Sequence, residues 1–518
     1  MSIVDNLAFK NKFGYGGITP QLCKNLQKTI GTDRRITLTW TDPGDTFIDG
    51  ILVSSWAKTI IVKKSGSYPQ NIIDGETVVE NTVRNQYEDT GYIDEDYTGT
   101  TDNLEQIYYM AFPAADTGAT SINISNRFSE FVIYGFVENM SVLDPTARIT
   151  YLGENAAFTS AKMDYTNNVF NYGSWGNWSW LKKVQPYMVD FSGNPDYKLN
   201  PNNYAFKEDG ITASDVSNQN YQGGAYTWIP KIYTYQYIEG NLRYVYFCEK
   251  KADANFRPVG FIDYNEAELE GIWIPMFYGS VVSSKMRSIS GTTTINTQTT
   301  ATEYTYLQNA GVRHVFFGGS IINTLTDILY MMARNTNSQA AYGAGFNTGG
   351  TAAASLKANV VIGGGMFYGT NGNNALNKIF HSIVLGSYQI WQRNPYEILY
   401  NGIYRVSPYY KYSLTAENYI NTGIQLPTNG AWIYPNIMRH VPEYGVVPAE
   451  PAIGSTALGY CDGLIANTAQ ISIGLRFGVC NTALIAGLSA RALNHVAGPA
   501  SWAIGASDLL LPPVGVAA

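Results

Sequence analysis

Residues 56–75 read WAKTIIVKKSGSYPQNIIDG. An apolar, β-branched run passes into paired lysines, then into a Gly-Ser-Tyr-Pro turn and an Asp-Gly corner. β-Branched residues suit a pleated strand and Gly, Ser, Pro and Asp punctuate its end, so the stretch predicts a strand leaving a sheet. Its neighbours repeat the pattern. In RITLTW (35–40), Ile36, Leu38 and Trp40 share one face and Arg35, Thr37 and Thr39 the other, the period of a half-buried strand. QIYYMAFP (106–113) and FVIYGFV (131–137) are further aromatic runs, and TDPGD, IDG, DTG and DTGAT are turns between them. Closely spaced short strands without a helical stretch predict an antiparallel sandwich of the fibronectin or immunoglobulin kind over residues 31–138. Ahead of it, TPQLCKNLQKTIG (19–31) predicts a short helix, with Thr19 as cap, Pro20 in the first turn and Gly31 as stop. Residues 1–30 are read as an attachment segment.

The chain has 518 residues, more than one ordinary core holds, so at least two domains are expected. Charged residues make up only 14%, against 45% hydrophobic, with 39 tyrosines and 50 glycines. That mixture excludes disorder and suits a rigid β-rich surface with neutral hydrogen-bonding faces. A formal charge of −7 with no basic block argues against nucleic acid or an anionic membrane as partner. Cys23, Cys248, Cys461 and Cys480 are scattered without a CxxC pair, which fits isolated buried thiols and neither a disulfide scaffold nor a zinc site. No signal-peptide run opens the sequence, and no stretch reaches the ~18–20 apolar residues of a membrane span. Synthesis in a cytoplasm without membrane insertion is expected, with release by lysis open.

Beyond NMSVLDPTAR (139–148), read as the boundary, the texture changes. Loops rich in Asn, Gly, Asp and Tyr alternate with aromatic strands such as WIPKIYTYQY and LRYVYFCEK. One amphipathic helix is predicted in GSIINTLTDILYMMARNT (319–336), where Ile321, Ile322, Leu325, Ile328, Leu329 and Met332 follow helical spacing and Ser320 stands as N-cap. Glycine-dense connections and short segments complete residues 139–518, with no 20–50-residue repeat. The fold class is mainly β with minor α.

The motifs of residues 34–113, ITLTWTDP, WAKTIIVKKSGSYPQNIIDGETVV, NQYEDTGYID and YYMAFP, resemble the fibronectin-III-like module of phage tail and fibre proteins. From about 146 onward, RITYLGEN, GSWGNW, DYKLNPNNYAFKEDGITASDV, WIPKIYTY, MRSISG, NTNSQAAYGAGF, GIYRV and YINTGIQLP resemble the large C-type-lectin-like domain of phage virion proteins, related in fold to formylglycine-generating enzymes. The resemblance implies a sandwich spacer carrying an α+β lectin-like display domain on a virion. Its partners would be other virion proteins and a host-surface glycan or protein, and the assembly a homotrimer.

Catalytic sets are hard to assemble from the residues. Formylglycine-type oxidation needs a reactive cysteine pair, and Cys461 and Cys480 stand nineteen positions apart without a motif. Calcium lectins bring several carboxylate and amide oxygens together, whereas GNPD (193–196), LNPNN (199–203) and QRNPYE (392–397) read as Asx-stabilised turns. The acidic loop EDTGYIDEDY (88–97) reads as a solvated charge run. His314, His381, His440 and His495 form no metal or triad pattern and read as structural. No catalytic residue, metal or other cofactor is assigned, and the protein is read as a non-enzyme.

Aromatic and amide side chains remain. Tyr172, Trp175, Trp178 and Trp180 would make a sugar-stacking platform if exposed, and would otherwise fill a core or interface. Asn494, His495 and Trp502, in SARALNHVAGPASWAIGAS (489–507), form a second candidate by analogy with the C-terminal binding loops of lectin-like domains, or else a closing strand. The leading expectation is a tail-fibre or baseplate protein that binds host glycans or receptors by many weak contacts. The alternative is a head fibre or capsid-decorating protein without a dedicated receptor.

Overall fold

The computed structural model describes residues 20–31, 35–48, 51–94, 104, 107–122, 126–128, 132–252, 254–360, 364–370, 372–449, 453–467, 471–498 and 500–518. The fold is mainly β, as the strand periodicities predict. It divides into two compact units: residues 1–134 with 152–155 and 250–256, and residues 135–151, 156–249 and 257–518. The chain passes from the first to the second inside the strand Ile133–Asn139. Most of the attachment segment expected over 1–30 lies outside the described residues.

The first unit holds strands β1 (Lys24–Ile30), β2 (Ile36–Thr41), β3 (Thr46–Ile48), β4 (Ile51–Ser54), β5 (Trp56–Ser65), β6 (Glu76–Asn81), β7 (Tyr92–Asp94), β8 (Ile107–Ala115) and β9 (Arg127–Phe128). β1-β2-β7 form one antiparallel sheet and β6-β5-β8-β9 another. Ile36, Leu38 and Trp40 from the first sheet pack with Ile61, Tyr109 and Ala111 from the second, so the sheets face each other across one core. Two antiparallel sheets facing each other make a β-sandwich, and β2 buries every second residue, as the alternation in RITLTW predicts.

Polar side chains lock its rim. Asp42, in the TDPGD turn, accepts from Trp40 Nε1 (2.9 Å), Thr59 Oγ1 (2.5 Å), Asn81 Nδ2 (2.8 Å) and Asn85 N (2.8 Å). The basic residues of β5 each have an acidic neighbour: Lys58–Glu80 at 2.7 Å, Lys63–Asp94 at 3.1 Å and Lys64–Asp74 at 2.6 Å. Asp94, expected in a solvated charge run, is instead buried and also accepts from Tyr109 OH at 2.6 Å.

The helix expected at 19–31 is absent. Residues 24–30 form β1, an outer strand paired with β2 through Lys28↔Leu38 and Ile30↔Ile36. Lys28 crosses to donate to Leu104 O (3.0 Å) and Ile107 O (2.9 Å). A Thr-Pro start and a Gly stop bracket an outer strand as readily as a helix, and tertiary pairing decides between them.

Three larger sheets lie wholly or mainly in the second unit. Four strands run in the order Ile149–Gly153, Ile133–Asn139, Leu242–Cys248, Tyr233–Glu239. Six antiparallel strands run Pro195–Lys198, Gln185–Asp190, Gly223–Pro230, Gly271–Pro275, Asp508–Leu510, His314–Phe316. The largest sheet runs Ile420–Gln425, Ile403–Val406, Trp391–Tyr400, Ser472–Phe477, Gly487–Val496, Leu464–Asn467, Asn429–Ile433, with Ile504–Gly505 paired beside Trp391. Its two outermost strands are consecutive in sequence, separated only by Leu426–Thr428. Four peptide units span at most ~14 Å, so the sheet curls until its margins nearly meet at that corner.

Two helices of ten residues or more stand among the described residues. Helix α1 (Thr300–Ala310) is capped by Thr299, whose side chain accepts from Thr302 N. Helix α2 (Ser320–Ala333) is the predicted one, with two differences. The cap position is Gly319; Ser320 is the first helical residue and its hydroxyl donates to Pro408 O at 3.1 Å. All its residues are buried, so it is enclosed rather than amphipathic on a surface. Its polar stripe finds buried partners: Arg243 grips Asp327 bidentately at 2.9 and 3.0 Å, Asn323 Oδ1 accepts from Arg491 Nη2 at 3.1 Å, and Tyr330 OH meets Ser489 Oγ at 2.5 Å. Among the described residues no helix is long and apolar enough to cross a membrane.

Candidate functional site

The proposed tryptophan platform does not exist. Trp175, Trp178 and Trp180 are buried to within 1% of full enclosure. Trp175 packs edge-on against Phe158, Tyr151 and Trp178, and Trp180 Nε1 donates to Pro230 O at 2.8 Å. Tyr172 is half-buried against Phe170 and Phe367, and burial pushes its phenol up to about 12. Indoles bury more apolar area than any other side chain, so a Trp-rich turn at a core edge fills that core.

Asn494 and His495 end the strand Gly487–Val496, where His495 pairs with Ile473, and both are half-buried. Burial, and then the charge of Arg393, hold the His495 imidazole below its usual range. Trp502 lies farther along the same segment, also half-buried.

All four cysteines are buried and unbridged. Burial raises the thiols of Cys461, to about 12, and Cys480, the opposite of what thiolate chemistry requires. LNPNN is an Asx turn, with Asn200 Oδ1 accepting from Asn202 N (2.9 Å), whereas GNPD closes an Asx turn made by Asp190, whose Oδ1 accepts from Ser192 N (2.8 Å) and Asn194 N (2.9 Å), and then enters the strand Pro195–Lys198. QRNPYE instead lies within a strand, where Asn394 Oδ1 accepts from Gly319 N at 2.8 Å. Among the described residues no group of three or more His, Cys, Asp or Glu side chains is placed to hold a metal ion.

Two buried polar clusters are structural. His314 donates to Asp508 Oδ2 at 2.7 Å and to Phe191 O at 3.0 Å, which leaves no ring nitrogen to serve a nucleophile. The second joins Glu138 to Arg148 (2.7 Å) and Arg243 (2.8 Å), and Glu397 to Arg476 (2.9 Å). The cavity beside it measures about 10 Å³, room for one water and no ligand.

An open groove of about 530 Å³ is the strongest candidate. Its lining includes Gln219, Ser280, Val282, Thr292, Thr294 and Asn296, with no charged side chain. The strand Gly279–Val282 forms one side, and the loop 291–296 the other. Gly291 starts that loop at φ 76°, where a side chain would be strained. At its far end Ile295 N donates to Gly279 O (2.7 Å), and Thr297 N to Ser501 O (2.9 Å). Ile295 O lies so close to Gly505 that a Cβ there would stand 2.2 Å from it. The segment singled out in the sequence, 489–507, therefore braces this groove from behind, though Asn494, His495 and Trp502 are not among its lining residues.

Hydroxyls and amides around a few apolar surfaces (Val281, Val282, Ile295) can exchange donors and acceptors with a polyhydroxyl ligand without any charge. The sequence does carry a trace of the groove. Between 292 and 302 it has seven threonines, in GTTTINTQTTAT, with neither strand nor helix period.

A scan against protein-family models and a search of curated proteins find no match for this chain.

Proposed function

We propose that the chain is a structural protein displayed on a bacteriophage particle, with the sandwich as spacer and the larger unit binding a host-surface glycan. The observation that carries this reading is the uncharged, threonine-lined groove of about 530 Å³, a volume within the ~300–1,000 Å³ of small-ligand sites. The motif resemblance to phage fibronectin-like and lectin-like modules supports the virion setting. Each head binds weakly, and copies on one particle, assembled as homotrimers among other virion proteins, multiply the effect.

The test is a glycan array of neutral and anionic bacterial polysaccharides probed with labelled protein, alongside imaging of labelled antibody on the particle. Wild-type protein binds neutral glycans, and Thr293→Trp, which fills the groove from an exposed position, abolishes the signal. Binding that survives Thr293→Trp overturns the site. No glycan binding, with antibody confined to capsid capsomers, overturns host recognition in favour of decoration.

A further inference from the structure

A second open groove, of about 540 Å³, lies in the same unit. Lys357, Ala358, Val360, Tyr368, Asn374 and Leu376 line it. The two grooves share a wall. Gly291 N donates to Asn359 O at 2.7 Å and Asn359 N to Thr292 O at 2.9 Å, so the segment 291–292 of the first groove runs beside the segment 358–360 of the second. Neighbouring strands lie only ~5 Å apart. Asn359 itself is fully buried, with Nδ2 also 3.4 Å from Thr292 Oγ1.

The linings are complementary. The first groove offers hydroxyls and amides but no aromatic ring. The second offers the half-buried ring of Tyr368, apolar Leu376 and Val360, and the amide of Asn374. Metal-free sugar binding uses both kinds of surface, a ring face against the C–H face of a sugar and polar groups against its hydroxyls. We propose that the two grooves form one extended site for an oligosaccharide chain, with the paired segments 291–292 and 358–360, anchored from below by Asn359, as the ridge it crosses. One groove alone takes one or two sugar units, and the pair takes a chain of about four or more. This inference rests on the glycan reading above.

The experiment measures affinity for a graded series of fragments, one to eight sugars long, cut by partial acid hydrolysis from the polysaccharide giving the strongest array signal. Expected is a rise of about tenfold or more between two-unit and four-unit fragments. Tyr368→Ala removes that rise and leaves mono- and disaccharide binding unchanged, whereas Thr293→Trp abolishes binding at every length. Asn374→Ala, read the same way, replaces Tyr368→Ala if that variant melts early. Affinity independent of length, or a rise that persists in the second-groove variant, overturns the extended site while leaving the first groove in place. Absence of binding by any fragment overturns both.

Discussion

The side-chain amide of Asn359 pairs with the backbone of Tyr278 as a neighbouring strand would: Tyr278 N donates to Oδ1 at 3.1 Å, and Nδ2 donates to Tyr278 O at 2.8 Å. One buried side chain thus ties the ridge between the grooves to the strand-rich body beneath. Asn359→Leu leaves both backbone groups buried without partners, a cost of about 2–4 kcal/mol. Urea unfolding should show a lower midpoint, and Asn359→Asp, which keeps the shape but loses the donor, should do no better.

The His314 ring lies between two acceptors, Asp508 Oδ2 and Phe191 O, an arrangement that favours the imidazolium over the neutral ring. Burial alone would lower its pKa, but the charge of Asp508 and the two hydrogen bonds hold it above the usual value. A raised folded pKa gives stability that is complete below the unfolded value of about 6.5 and lost as pH rises through the folded one. Thermal melts of wild type should decline over that window, and His314→Gln should remove this part of the pH dependence.

Lys378 has the reverse sign. It is buried, with Nζ 3.1 Å from Tyr204 OH, and burial pushes its ammonium down to about 7. The unfolded chain keeps that proton until about pH 10.4, so between 7 and 10 unfolding takes up a proton and stability climbs with pH. Lys378→Met should flatten this climb and raise stability at pH 7 by at least about 1 kcal/mol, read from denaturant midpoints at pH 7 and 10.

Asp327 on α2 holds Arg243 by two hydrogen bonds, and Arg243 also meets Glu138. Removing one partner leaves a buried charge exposed to no water, and Asp327→Ala should cost about 3–5 kcal/mol. Calorimetry should register a large loss, with recovery when Arg243→Met is added.

Strand periodicity in RITLTW and the position of α2 were legible because each depends on side chains close in sequence. The environment of α2 was not. Asn323, Asp327 and Tyr330 look like a solvent face until Arg491, Arg243 and Ser489 arrive from 84 to 168 residues away. The tryptophans of SWGNWSW carry the same ambiguity, since a stacking platform and a core corner use identical residues. The groove was hidden for another reason. Its two sides, the strand Gly279–Val282 and the loop 291–296, meet through Ile295 N and Gly279 O, and threonine in a loop carries no period to read.

The three-residue link Leu426–Thr428 has a consequence for crowding. An unpaired strand margin invites identical molecules to add on, the first step towards fibrils. Here the margins converge where Gln425 hands over to Asn429, so an intruding strand at that corner must first force apart two segments already tethered to each other. Lengthening the tether with glycines would be the way to turn a self-limiting molecule into one that recruits its own kind.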